Sequence, residues 1–321
     1  MKRTLLAVSA FMMLILFHPQ TIARPGATSN IAVFPDDGAT CITDFISRAG
    51  RSIDFIANRL DQGPIADVLA SAAARGVRVR VMLDKNPEKG ADANAAVMAK
   101  LSAAHAFTNS TNPRFDATIA RAIIADSSRA IVLSFDPVQE NLAGARGFAV
   151  TLKDPLDVAD LSWMYDADWS RVKVGPKQSS LTWEPDGARK KLLDVIAGAK
   201  ESIDIYTDDV KDHEIQKSFA DAVRRGVIVR VLAGDSPGCP MPGLVQLRMD
   251  GGSFKCMKGL PLAAKAMMAD DGFGGRTALI GISKLESPRQ GETRGLGVVI
   301  SDAGRLGRLR DTFLKDWKAA K

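Results

Sequence analysis

Residues 34–55 read FPDDGATCITDFISRAGRSIDF, and residues 184–205 read EPDGARKKLLDVIAGAKESIDI. Pro35 and Asp36 fall on Pro185 and Asp186, while Ser52, Ile53 and Asp54 fall on Ser202, Ile203 and Asp204. Without a gap, RGVRVRVML (75–83) then meets RGVIVRVLA (225–233), so a single offset of 150 covers the whole span. Further on, RGFAV (146–150) answers RGLGV (294–298), and DADW (166–169) answers LKDW (314–317). A register held this long means two copies of one lobe, not a solenoid of short repeats.

Each copy reads the same way locally. Ile42, Phe45, Ile46 and Ala49 have helical spacing, as do Leu192, Val195, Ile196 and Ala199. Ser52–Ile56 and Ser202–Tyr206 are expected strands, followed by helices over 65–74 and 215–224. Gly76 and Gly226 stop those helices where a left-handed residue is wanted. The β-branched runs 77–83 and 227–232 supply the next strands. Strand, helix, strand is the βαβ pattern, so each lobe is expected to be an α/β unit with a parallel or mixed sheet flanked by helices. The polar stretch SRVKVGPKQSS (170–180) links lobe 1, residues 24–170, to lobe 2, residues 181–321, with 171–180 as the linker proper.

The N-terminus carries an export signal. Lys2 and Arg3 precede an apolar run from Leu5 to Phe17, and Thr21 and Ala23 are small residues placed for cleavage after Ala23. The run is short for a membrane span. No cysteine at the junction offers a lipid anchor, and no later run is apolar enough to cross a bilayer. The expectation is a signal peptide over 1–23 and a mature protein in the periplasm or outside the cell. In an oxidising compartment Cys239 and Cys256 can pair, because both lie in loop-like stretches; Cys41 falls on a helix and is expected to be a buried free thiol. No CxxC pair and no histidine cluster suggests a structural metal. The formal charge of +6 suits an anionic partner such as a phospholipid surface or a phosphate ester. Nucleic acid fits less well, because the cations are scattered and aromatics are few.

Within each copy lies one unusual segment: TIARAIIADS (118–127) and LAAKAMMADD (262–271). Each has a cation, small apolar residues, and an aspartate five positions after the cation. Read as strands, Ile119 and Arg121 share a face, as do Ala263 and Lys265. Two lobes about a pseudo-twofold axis would bring both faces to one central cleft.

In this order and twice over, these segments resemble the phospholipase D superfamily, particularly its secreted bacterial two-lobed members. The resemblance runs over nearly the whole mature chain and implies a single globule of two repeated lobes. The family's signature is His-x-Lys-x4-Asp in each lobe. One histidine attacks phosphorus, the other protonates the leaving alcohol, and the lysines hold the phosphate oxygens, with no metal or cofactor. A neutral imidazole is nucleophilic near neutral pH, and its partner must be able to give up a proton. Carried onto this sequence, the motifs are Ile119, Arg121, Asp126 and Ala263, Lys265, Asp270. Both histidines are absent. The Gly-Ser-x-Asn turn reads Gly281, Ile282, Ser283, Lys284; the Asn-Arg-Glu strand start reads Thr293, Arg294, Gly295; the first lobe's asparagine is Asp136. His18 falls in the signal peptide, and His105 and His213 lack the spacing to stand beside a phosphate.

The resemblance therefore implies a disabled enzyme that keeps a cationic cleft. Arg121, Lys265, Ser283 and Lys284 are the candidate phosphate ligands, with Asp126 and Asp270 orienting or neutralising the cations. Two alternatives stay open. One is an active phosphodiesterase, of phospholipase, cardiolipin synthase-like or nuclease type, using Lys265, Ser283 or Asp136. The other is an envelope scaffold.

Overall fold

The computed structural model describes residues 31–321 except 86, 88, 89, 91, 92, 235–238 and 282–291. The expected signal peptide over 1–23 therefore lies outside the described residues, as do Ser283 and Lys284. The first half runs β1 (Ile31–Phe34), α1 (Thr40–Ser47), β2 (Ser52–Ala57), α2 (Pro64–Ala74), β3 (Arg78–Leu83), α3 (Ala95–Ala103) and β4 (Phe107–Ser110). It continues with β5 (Ala117–Thr118), β6 (Ala122–Ala125), β7 (Arg129–Leu133), α4 (Gln139–Gly144), β8 (Gly147–Leu152) and α5 (Pro155–Trp169). The second half runs β9 (Leu181–Glu184), α6 (Ala188–Gly198), β10 (Ser202–Tyr206), α7 (His213–Arg224), β11 (Ile228–Ala233) and α8 (Pro242–Met249). It ends with β12 (Ser253–Cys256), β13 (Ala266–Asp270), β14 (Arg276–Ile280), β15 (Thr293–Ile300) and α9 (Ala303–Ala319).

The repeat is visible in the pairing. One sheet has the order β1-β8-β7-β6-β2-β3-β4. The other runs β12-β11-β10-β13-β14-β15, with β9 on β15 where β1 lies on β8. Both are mixed: β2, β3 and β4 are parallel, as are β10, β11 and β12, and the remaining pairs within each lobe are antiparallel. Gly76 and Gly226 adopt φ of +88° and +87°, ending α2 and α7 as the sequence predicts.

Alternation along the strands divides the apolar residues among three cores. Ile53 and Phe55 of β2 face the helices of lobe 1, and Ile203 and Ile205 of β10 face those of lobe 2. The opposite faces, represented by Ile56 and Tyr206, enter a shared core between the sheets. That core includes Leu161, Met164 and Tyr165 of α5, and Leu306, Leu309 and Phe313 of α9. The two lobes thus form one body around a common apolar layer. The connection between α5 and β9 is also held down: Asp160 accepts from the Lys177 N–H and the Ser179 hydroxyl, and Asp157 accepts from the N–H and hydroxyl of Ser180.

The duplicated RG and DW motifs explain each other across the lobes. Arg146 of lobe 1 makes a fork on Asp316 of lobe 2, with Nε at 2.7 Å and Nη2 at 3.0 Å. Arg294 of lobe 2 pairs with Asp168 of lobe 1, with Nε at 2.9 Å and Nη2 at 3.1 Å. Each arginine also donates Nη1 to a carbonyl of the lobe's first strand, Phe34 or Glu184, and meets the aspartate two residues later, Asp36 or Asp186. All four paired side chains are at most 6% exposed. The glycine after Arg146 is needed for space, since a Cβ on Gly147 would lie 2.5 Å from the Phe135 ring.

A buried charge whose partner is removed is costly. Arg146→Met is expected to lower stability by about 3–5 kcal/mol, because Asp316 is left buried and uncompensated. The double variant Arg146→Met/Asp316→Leu is expected to lose much less than the sum of the two single changes, measured by urea unfolding.

Candidate functional site

The strand ends that carry the motif residues sit on the seam between the lobes. The Ile119 and Ala120 N–H groups both donate to the Arg294 carbonyl, at 2.8 and 3.0 Å. In the other lobe the Ala263 and Ala264 N–H groups both donate to the Arg146 carbonyl, at 3.0 Å. Lobe 1 also lends its short β5 to β15, with Ala117 and Thr118 beside Thr293 and Arg294. Residues 119–121 and 263–265 are therefore extended segments leading into β6 and β13, not parts of those strands as the alternation suggested. Their amides are spent on the opposite lobe instead of on a ladder within their own sheet.

The strand ends beside the two segments meet. The Leu133 N–H donates to the Arg121 carbonyl, and the Gly281 N–H donates to the Lys265 carbonyl. A Cβ on Gly281 would stand 3.6 Å from the Leu133 carbonyl and 2.9 Å from that of Leu296. At φ +83° and with that little room, only glycine fits.

The side chains at this junction differ from the expectation in their partners. Arg121 forks onto Asp136, Nε to Oδ1 at 2.8 Å and Nη2 to Oδ2 at 3.0 Å, and its Nη1 donates to the Ile119 carbonyl. Asp136 is itself positioned by the Asn58 and Arg59 N–H groups. Lys265 is held more loosely, with Nζ 3.6 Å from Oδ2 of a half-exposed Asp208. Asp208 takes the place that Asn58 holds in lobe 1, and only the offset of 150 would have pointed to it. Ile119 and Ala263 are half-buried beside these cations. His105 and His213 are exposed elsewhere, the latter at the first position of α7.

The motif aspartates do not orient the cations. Asp126 sits at the far end of β6, where its carboxylate accepts from the N–H groups of Gly50, Arg51 and Ser52. Burial pushes its carboxyl up, but those N–H groups and Arg129 outweigh burial and hold it below the ordinary value. Asp270 ends β13, with Arg276 Nε at 2.9 Å and the Gly272 N–H at 3.0 Å. The reason is length: each aspartate lies a full strand away from its cation, so it serves the turn at the other edge. Arg294, the strand-start arginine, is likewise committed to Asp168.

Cys239 and Cys256 are joined in a disulfide with Cα atoms 6.2 Å apart. Cys41 is free and half-buried on α1, less enclosed than its helical position suggested, and burial pushes its thiol up to about 11. Among the described residues, no group of histidine, cysteine and acidic side chains could hold a metal, and no helix is long and apolar enough to cross a membrane.

No family model and no curated protein matches the sequence. Solved structures do match. Phosphatidylserine synthase from Haemophilus influenzae superposes with a TM-score of 0.69 at 11% identity, covering 91% of this chain and 87% of that one. Polyphosphate kinase from Porphyromonas gingivalis superposes at 0.68 and 11% identity, covering 90% of this chain and 49% of that one. Both are phospholipase D superfamily members. The chain has the phospholipase D fold. It spans about half the length of the polyphosphate kinase.

Within this phospholipase D fold, Asp126 is a structural anchor, and its chemistry sets a pH dependence. Its lowered carboxyl contributes stability above the unfolded value of 3.8, and that contribution is lost as the pH falls through the lower folded value. Asp126→Ala is expected to destabilise by about 1–3 kcal/mol at neutral pH. The gap from wild type should narrow in acid below pH 3.8, followed by thermal unfolding across pH.

Proposed function

We propose that this phospholipase D-fold protein is an exported pseudoenzyme that engages a phosphate-bearing group at the inter-lobe cleft without cleaving it. The observation that carries the reading is the replacement of both motif histidines by Ile119 and Ala263 beside a loosely held Lys265. Neither side chain can attack phosphorus or carry a proton. Loss of a covalent nucleophile removes roughly 10⁴-fold or more in rate, by analogy with catalytic triads. Lys265 remains a flexible ammonium able to leave Asp208 for a phosphate oxygen. The leader over 1–23 supports export.

Arg121 adds less than the sequence suggested, because a phosphate would have to displace Asp136 from its fork. That same ion pair favours a second reading, in which the old cleft now only braces the fold and the protein serves as a scaffold.

Titration with inorganic phosphate and with short-chain phosphatidylglycerol below its micelle concentration separates the two. Pseudoenzyme binding is expected to weaken with salt and to fall about tenfold in Lys265→Ala, the value of one charge-assisted contact. No binding by wild type, or binding unchanged in Lys265→Ala, would favour the scaffold. No turnover of a fluorogenic phosphodiester is expected. Chelator-resistant turnover abolished by Lys265→Ala would overturn both readings.

A further inference from the structure

The two lobes diverge at the end of the sheet opposite the cleft. In lobe 1, Arg80 bridges two carboxylates, Asp54 on β2 and Asp166 on α5, each at 2.6 Å. Its guanidinium lies over the rings of Tyr165 and Trp169. The equivalent Arg230 lies over Phe313 and Trp317 and pairs with Asp204, the counterpart of Asp54. The second carboxylate is missing, because Leu314 replaces Asp166. Leu314 is 37% exposed. One helical turn earlier, Arg310 replaces Ser162.

A cavity of about 190 Å³ borders Arg230 here, lined also by Arg276, Arg310, Ser202 and Ile228. Arg230 places both donor atoms of its fork on Asp204, and Arg276 directs Nε to Asp270. Arg310 makes no direct hydrogen bond or ion pair with a described residue, although its charge acts on Asp204. Where lobe 1 closes the arginine with its own carboxylate, lobe 2 leaves a polar hollow and adds a cation.

We propose that this cavity is a binding site for the carboxylate of a small organic acid, which takes the place that Asp166 holds in lobe 1. Arg310 would be the principal contact, with the outer edge of Arg230 and the Ser202 hydroxyl beside it. Glu201, Asp204 and Asp270 also line the cavity, so its net charge is zero and the affinity is modest. The site is separate from the cleft. Ser202 is at the cavity and Asp208 faces Lys265, and six residues of extended chain at about 3.3 Å each put them about 20 Å apart.

The test is a titration of the ¹⁵N-labelled protein with acetate at constant ionic strength, read at the arginine Nε–H resonances. Saturable shifts of Arg230 and Arg276 are expected. They should weaken about tenfold in Arg310→Ser, which restores the lobe 1 residue at an exposed position. They should disappear in Leu314→Asp, which supplies the missing carboxylate internally, with unfolding temperature raised or unchanged as the check on folding. Glu201→Gln should tighten binding, and Lys265→Ala should leave it unchanged. Absence of saturable shifts in wild type, or shifts indifferent to Arg310→Ser, would overturn the proposal. Tighter binding of inorganic phosphate than of acetate at the same resonances would overturn the assignment to a carboxylate.

Discussion

Two buried arginine–aspartate pairs, exchanged between the lobes, fix how the halves of this molecule meet. Arg146 reaches Asp316 and Arg294 reaches Asp168, and each of the four groups is nearly inaccessible to water. Such pairs are weak evidence for added stability, since desolvation offsets most of their attraction. Their value lies in register. An arginine anchored by Nη1 to its own lobe and paired with an aspartate on the other lobe's last helix resists the lobes sliding or rotating against each other. The flanking contacts extend the constraint: Asn112 donates to Asp168 and the Tyr206 hydroxyl donates to Asp316.

The junction of the motif segments takes its geometry from the same arginines. The carbonyls of the same two arginines accept the N–H groups of Ile119, Ala120, Ala263 and Ala264. One residue in each lobe thus locks the lobes with its side chain and places the facing motif segment with its backbone. The two segments are held in equivalent frames, and the residues at 119 and 263 are apolar in both. The cations at the junction have carboxylates beside them. A carboxylate at 136 occupies the fork of Arg121, and one at 208 stands near Lys265. The lobes are alike in frame and unlike in wiring. The lobes also differ at the far end of the sheet, where Asp166 pairs with Arg80 in lobe 1 and Leu314 stands at the equivalent position in lobe 2.

Much of the fold was legible in the chain because hydrophobic periodicity and the repeat are linear properties. Ser202–Tyr206 is a strand as read, α2 and α7 begin within two residues of the expected starts, and Gly76 and Gly226 end them. Each motif segment is a strand in its second part, β6 or β13, but residues 119–121 and 263–265 fall outside, because alternation cannot reveal that a backbone N–H is taken by another lobe. Asp126 and Asp270 do end their apolar runs at the turns before β7 and β14, but for that reason an extended strand separates them from the cations they are expected to orient.

The sequence by itself determined the duplication, the order of elements in each lobe and the apolar residues at 119 and 263, since these depend on residue identity and spacing alone. Only the tertiary structure decided which carboxylate meets which cation. Asp168 and Asp316 cross to the other lobe, Asp136 turns back on its own, and Arg310 is left with no direct partner among the described residues. Those pairings depend on which strand ends and helix faces approach when the shared apolar core closes, and a one-dimensional pattern carries no record of that approach.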